Sequence, residues 1–194
     1  MVIVNYNSDF YKQKVLAIIN IVITGGPGTG KTTLINALLK RGYTCFNEVS
    51  REITLQAQKK GINQLFLSNP LAFSEQILAA RSEQYISALK LKAPFVFLDR
   101  GVHDVLAYMH YIGDAIPESF TSICKQTSYN FVFALKPWKD IYVTDNERYE
   151  SFNQALKIHD YILQTYKTYN YKVIDVPFGT VEQRVQFILN TIGE

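Results

Sequence analysis

The chain has 194 residues, a length that fits roughly one domain. Hydrophobic residues make up 47% of it and charged residues 19%, which excludes a disordered chain and a charge-rich coiled coil. A formal net charge of +3, without a block of five basic residues, does not point to a nucleic-acid-binding protein.

Short apolar strands and helices alternate along the first half of the chain. Residues 1–14 form a lead-in without clear periodicity, and the β-branched run from Leu16 to Ile23 predicts a buried strand. A helix is predicted from Thr32 to Arg41, with Gly42 as its C-cap. The next predicted elements are a strand from Tyr43 to Asn47, a helix from Glu48 to Lys60, and a helix from Leu71 to about Leu91 after the Asn69-Pro70 cap.

The second half continues this alternation. Phe95 to Leu98 is the third predicted strand, and a helix is predicted from Val102 to Tyr111. The remaining elements are a strand from Asn130 to Leu135, a polar loop from Lys136 to Asn146, a helix from Arg148 to Tyr169, a strand from Tyr171 to Val176, and a last helix that Thr180 and Gln183 cap. The pattern predicts an α/β fold with a parallel sheet and one domain over residues 15–194.

A glycine-rich motif joins the first predicted strand to the first predicted helix. It reads Gly25-Gly26-Pro27-Gly28-Thr29-Gly30-Lys31-Thr32 and fits the pattern G-x-x-x-x-G-K-[ST]. Its glycines let backbone N–H groups turn towards phosphate oxygens, and the following helix N-terminus favours an anion. We expect Lys31 to reach the β- and γ-phosphates and Thr32 to offer its hydroxyl to Mg²⁺. The motif predicts a nucleoside triphosphate site from Gly25 to Thr33.

Two acidic residues are expected near this motif, because ligands of open α/β sheets bind at the carboxyl ends of the strands. Asp99 ends the third strand and is predicted to hold Mg²⁺ through water; the alternative is a helix cap or a structural ion pair. Glu48 follows the second strand and is predicted to deprotonate or to orient an acceptor hydroxyl; the alternative is a cap of the next helix.

Arginines at the same edge are candidates for binding phosphoryl groups, since charge stabilisation supplies much of the catalysis of phosphoryl transfer. Arg100 directly follows Asp99, and Arg51 lies one helical turn beyond Glu48. Arg81 lies in the middle of a helix and is either a third substrate-binding arginine or a solvated or paired residue. Arg148 is predicted to act from a lid near residues 136–148, the alternative being an ordinary charge at a helix start.

Several classes of site have little support. Cys45 and Cys124 exclude a disulfide scaffold and a four-thiolate zinc site within one chain, so we expect a reduced, cytoplasmic protein. No stretch reaches the roughly 18 apolar residues of a membrane span, and we expect no transmembrane segment. No stripe of aromatic and basic residues indicates binding to DNA or RNA, so none is expected.

Several segments of the chain resemble known families. Three segments resemble the P-loop kinase domain of the NadR-like (nicotinamide-ribose kinase) group. They are Ile23–Thr33, Asn47–Glu52, in which Glu48, Arg51 and Glu52 match, and Lys136–Asp140 with Arg148 beyond it. Similar to thymidylate kinase are Ala79–Glu83 and Asp99–Tyr108, and Asp145–Phe152 resembles a set of bacterial predicted ATPases labelled AAA family. The resemblance covers about residues 18–192.

The resemblance implies a three-layer P-loop NTPase fold with a five-stranded parallel sheet of order 2-3-1-4-5, as in nucleotide kinases. It implies ATP and Mg²⁺ at the P-loop, with an acceptor near Glu48, Arg51 and Asp99-Arg100. The leading interpretation is therefore a Mg²⁺-dependent phosphotransferase, an ATP-dependent kinase whose partner is a small nucleoside- or nucleotide-like acceptor.

Two alternatives stay open. One is a nucleotide-dependent binding or switch module, because the same architecture occurs, by resemblance, in proteins thought to bind GTP and a phospholipid. The other is a slow NTPase that uses water as its acceptor. The sequence has no clear N-K-x-D motif for reading guanine, which favours ATP over GTP.

Overall fold

The structure is a computed structural model that describes residues 18–59, 61–62, 68–142 and 150–194. The predicted lead-in, residues 1–14, and Arg148 lie outside the described residues. The strands are β1 (Ile19–Thr24), β2 (Thr44–Phe46), β3 (Phe95–Asp99), β4 (Phe131–Leu135) and β5 (Val173–Val176). The helices are α1 (Lys31–Lys40), α2 (Ser50–Lys59), α3 (Pro70–Ala88), α4 (His103–Ile112), α5 (Glu118–Gln126), α6 (Phe152–Thr168) and α7 (Val181–Ile192), with a 3₁₀ turn at Lys139–Ile141.

In the described part of the chain, five strands form one parallel sheet of order β2-β3-β1-β4-β5. The central strand is β1, whose Ile23 lies opposite Asp99 of β3 and Phe133 of β4. Because the strands are parallel, their carboxyl ends lie along one edge, and the glycine-rich motif leaves the middle of that edge. The predicted fold class and strand order are confirmed.

Helices cover both faces of the sheet and make a three-layer structure. Ile21 and Ile23 of β1 point to the layer of α1 and α7, where Leu34 and Ile188 are buried. Val22 points to the opposite layer, in which α4 and α6 pack. This alternation follows from the strand geometry, and burial on both faces explains the unbroken apolar run of Ile21, Val22 and Ile23 in β1. In the described part of the chain, no helix has both the length and the apolar character that crossing a membrane requires.

Two elements differ from the sequence-based prediction. Helix α5 was not predicted; it is short, and only Phe120 and Cys124 of its nine residues are buried. The predicted helix start at Arg148 is wrong, since α6 begins at Phe152. A capping box sets that start: the Ser151 side chain accepts from the Gln154 N–H, and the Gln154 side chain accepts from the Ser151 N–H.

Candidate active site

The glycine-rich motif forms a loop between β1 and α1. A side chain at Gly25 would overlap the carbonyl group of Leu135, and the backbone of Gly25 and Gly30 has positive φ angles of 132° and 79°. Glycine is therefore required at both positions. Helix α1 begins at Lys31, so the first N–H groups of the helix have no partner within it and are available to an anion.

The ammonium group of Lys31 lies inside this loop. Its Nζ donates to the carbonyl oxygens of Gly25 at 3.0 Å and Gly26 at 2.6 Å, and to Thr29 Oγ1 at 3.1 Å. Burial and the positive charge of Arg100 lower the pKa of Lys31 to about 7. An anion beside Lys31 would offset both effects, so this position favours a phosphate group.

The carboxylate of Glu48 lies between two arginines. Arg81 Nη2 donates to Glu48 Oε1 at 2.8 Å, and Arg100 Nε lies 2.5 Å from Glu48 Oε2. Burial alone would raise the pKa of Glu48, but Arg81 and Arg100 outweigh it and lower the pKa to about 2. Glu48 Oε1 also accepts from the Ser50 N–H at 3.2 Å. Glu48 thus caps α2 and forms an ion pair at the same time.

The Glu48 carboxylate is better suited to orienting a hydroxyl group than to removing its proton. General bases work best when their pKa lies near the operating pH, and the pKa of Glu48 is far below neutrality. A permanently ionised carboxylate is still a strong hydrogen-bond acceptor. Of the two sequence-based roles for Glu48, the geometry favours orientation.

Arg100 connects Glu48 to the glycine-rich loop. Its backbone is in the left-handed region, with a φ of 74°, and its Nη1 donates to the Gly25 carbonyl at 3.0 Å and to Asp104 Oδ1 at 3.2 Å. Asp104 is fully buried and accepts three further hydrogen bonds, from Thr24 Oγ1, from the Gly101 N–H and from Tyr166 Oη. Asp104 was not among the site residues predicted from the sequence; the available signal was that it is the acidic residue of α4, four positions after Arg100.

Asp99 is the last residue of β3 and is 3% exposed. Its Oδ1 is buried and has no hydrogen-bond partner among the described residues. Burial, and then repulsion from Glu48, raise the pKa of Asp99 to about 6. Mg²⁺ prefers oxygen ligands and usually binds through one or two carboxylates together with substrate phosphates. An unpartnered carboxylate oxygen at the cavity that the P-loop lines fits such a cation.

We expect Asp99→Asn to make the stability of the protein less sensitive to pH. The folded-state pKa is raised from 3.8 to about 6, so folding favours the protonated carboxyl. The stabilisation by this proton is complete below about pH 4 and is lost as the pH rises through 6. Relative to Asp99→Asn, the wild type should lose about 2 kcal/mol of unfolding free energy over this interval. Denaturant titrations of both proteins between pH 4 and 7 measure this loss. A difference in unfolding free energy between the two proteins that stays constant with pH contradicts the expectation.

A cavity of about 680 Å³ brings most of the predicted site residues together. From the P-loop it is lined by residues 27–33, which include Thr32 and Thr33, and from the strand ends and helices by Glu48, Arg51, Arg81, Asp99 and Arg100. Gly25 and Gly26 are not among the lining residues; their carbonyl oxygens accept hydrogen bonds from Lys31 Nζ. The predicted lid arginine, Arg148, is outside the described residues.

Solved structures of nucleotide and nucleoside kinases share this fold. Deoxyadenosine kinase from M. mycoides with bound dATP has a TM-score of 0.63 and 18% identity, covering 91% of this chain and 100% of that chain. NadR in complex with NR has a TM-score of 0.68 and 14% identity, covering 91% of this chain and 50% of that one. Thymidylate kinase from Ehrlichia chaffeensis has a TM-score of 0.59 and 15% identity, covering 91% of this chain and 99% of that one.

These likenesses confirm the resemblance to NadR-like kinases and to thymidylate kinase, and at these identities they show the fold. The chain spans half the length of NadR. No curated protein sequence matches it. The sequence profile of the AAA domain family matches residues 20–184, which is most of the chain and includes the loop, Glu48, Asp99 and Arg100. The chain therefore belongs to the AAA domain family, and its fold is that of the P-loop nucleotide kinases.

Proposed function

We propose that the protein is an ATP-binding, Mg²⁺-dependent phosphotransferase that acts on a small nucleoside- or nucleotide-like acceptor, within a single domain of residues 15–194. One observation carries this proposal: the Glu48 carboxylate, paired with Arg81 and Arg100, lines the same cavity as the P-loop. A phosphate donor and a hydroxyl acceptor can therefore occupy one cavity. Holding both reactants in position supplies much of the rate in this chemistry.

The donor side of the proposal depends on Lys31, Thr32 and Asp99. Lys31 lies within the loop and presents a positive charge to the phosphates, while the Thr32 hydroxyl and the Asp99 carboxylate supply oxygen ligands for Mg²⁺. Bound Mg²⁺ would neutralise negative charge on the transferring phosphoryl group. Structures of the related folds contain dATP in one case and AMP-PNP in another, which supports nucleotide use here.

The acceptor side depends on Glu48, which accepts a hydrogen bond from the acceptor hydroxyl and aims its oxygen at the phosphate. Arg81 and Arg100 hold the carboxylate in place from two sides. Arg51 also lines the cavity and is proposed to contact the acceptor. The role of Arg148 and the lid near residues 136–148 stay predictions, as does the cytoplasmic location.

The charge of the cavity favours an uncharged acceptor, a nucleoside, over a nucleoside monophosphate. Among its described lining residues, four basic side chains balance four acidic ones: Lys31, Arg51, Arg81 and Arg100 against Glu48, Asp99, Asp104 and Glu150. Arg81 and Arg100 are already neutralised by carboxylates, so a phosphate group on the acceptor would have to break existing ion pairs. The apolar side chains of Phe73, Ile77 and Val105 provide a surface for a base ring.

We expect nucleosides to be phosphorylated with a kcat/KM at least about tenfold above that of the corresponding monophosphates, a difference of about 1.4 kcal/mol in transition-state binding. A panel of nucleosides and monophosphates is incubated with ATP and Mg²⁺, and both ADP and the phosphorylated product are quantified. Stoichiometric product formation supports the kinase. A preference for monophosphates contradicts the acceptor class while leaving the kinase intact.

The same assay discriminates the alternatives. If ATP or GTP binds but no acceptor accelerates turnover, and Glu48→Gln leaves the basal hydrolysis unchanged, the protein is a nucleotide-dependent binding module or a slow NTPase. Vesicles containing anionic phospholipid, added with and without nucleotide, then test the module that binds a phospholipid.

A further inference from the structure

We propose that Arg184, on the first turns of α7, is a positioning residue that fixes the P-loop in the conformation that binds phosphate. The proposal rests on the proposed nucleotide-binding function. Arg184 is 6% exposed, and its Nη2 donates to the carbonyl oxygen of Thr29 at 2.8 Å. It belongs to a helix far along the chain from the loop and is absent from the cavity lining, so it acts through the loop backbone.

The hydrogen bond to Thr29 fixes one peptide plane of the loop. In a trans peptide, the C=O and the N–H of the same unit point in opposite directions. Holding the Thr29 carbonyl towards Arg184 therefore directs the Gly30 N–H to the other side of the loop. Both Thr29 and Gly30 line the cavity, and backbone N–H groups are the phosphate ligands of such loops. Arg184 thus sets the direction of one phosphate-binding donor, the Gly30 N–H.

The close approach of Arg184 also depends on the glycine at position 30. A Cβ atom there would lie 3.1 Å from Arg184 Nη1, closer than ordinary van der Waals contact. Gly30 is therefore required for its backbone angle, and a side chain there would also displace the guanidinium group by a few tenths of an ångström. The loop and the arginine form a complementary pair.

A second arginine holds the opposite end of the loop. Arg100 Nη1 donates to the Gly25 carbonyl at 3.0 Å, from the junction between β3 and α4. Arg100 is paired with Glu48 and Asp104, whereas no carboxylate pairs with Arg184 among the described residues. A buried guanidinium without a counter-charge is costly, and burial lowers the pKa of Arg184. Phosphate groups bound on the cavity side of the loop would lower this electrostatic cost from across the loop, which links Arg184 to the nucleotide.

The test compares Arg184→Gln and Arg184→Lys with the wild type by calorimetric titration of ATP and Mg²⁺. We expect Arg184→Gln to raise the Kd about tenfold. Arg184→Lys should recover part of this loss, because an ammonium group keeps the positive charge and donates a stronger, charge-assisted hydrogen bond to the Thr29 carbonyl than a glutamine amide does. The matched control is Arg41→Gln. It removes an exposed arginine that pairs with Glu182 of α7, the helix that carries Arg184, and it should leave the Kd unchanged. The KM of the acceptor should not change in any variant.

Hydrogen exchange separates positioning from general stability. We expect faster amide exchange in residues 25–33 of Arg184→Gln, at a temperature well below its unfolding transition. An unchanged Kd in Arg184→Gln, or a Kd in Arg184→Lys no better than in Arg184→Gln, overturns the proposal. If the wild type binds ATP and Lys31→Ala does not, while Arg184→Gln binds normally, only the role of Arg184 fails. If the wild type binds no nucleotide, the proposed function and this inference both fail.

Discussion

Replacing Lys31 with alanine is expected to weaken the binding of ATP with Mg²⁺ by at least about 100-fold. Hydrogen bonds to charged groups contribute about 1.5–3 kcal/mol each, and 1.4 kcal/mol corresponds to a factor of ten in Kd. Lys31 can donate to more than one phosphate oxygen, because its ammonium already lies within the loop. Isothermal titration calorimetry with ATP and Mg²⁺ measures the effect.

The loss should concern binding and leave folding largely intact. The Lys31 ammonium is buried beside Arg100, and its lowered pKa reflects the cost of keeping it charged there. Lys40→Ala, at the exposed end of the same helix, is the matched control and should bind ATP normally. If Lys31→Ala binds ATP as tightly as the wild type, the assignment of the loop as a nucleotide site is wrong.

Glu48→Gln is expected to lower kcat by about 100- to 1,000-fold, a range typical for the loss of one oriented electrostatic group in an active site. It should also lower the free energy of unfolding by about 3–5 kcal/mol. The reason is that Arg81 and Arg100 would remain buried without the carboxylate that pairs with both of them. Kinase assays and urea titrations measure the two effects on the same samples.

The control for this variant is Glu83→Gln, an exposed carboxylate on α3, the helix that carries Arg81. It should change neither kcat nor stability.

The sign of the pH dependence provides a second check. The pKa of Glu48 falls from 4.5 to about 2 on folding, so its stabilising effect is present above about pH 4.5 and is lost as the pH falls towards 2. A stability difference between wild type and Glu48→Gln that grows on acidification contradicts the ion-pair assignment.

The sequence by itself determined the layered α/β fold and the position of the P-loop. These features depend on short-range patterns: apolar runs of strand length, helical periodicity, and glycines where the backbone must adopt positive φ. The loop at Gly25 to Thr32 lies between β1 and α1 as predicted, and Thr180 with Gln183 caps α7 as predicted. The candidates Glu48, Asp99 and Arg100 reach one cavity because parallel strands end at a common edge.

Only the tertiary structure decided how these side chains are paired. The sequence left two roles open for Arg81, a substrate-binding arginine or a solvated or paired residue. The packing of α3 pairs its guanidinium group with Glu48. Asp104 and Arg184 were not among the site residues predicted from the sequence. Asp104 accepts a hydrogen bond from Tyr166 of α6, and Arg184 donates to the Thr29 carbonyl, and both contacts join elements distant in sequence. Periodicity reports which face of a helix is apolar, whereas the partner of a buried charge depends on how helices are placed against the sheet. That placement is set by the packing of the whole core, which local sequence patterns do not encode.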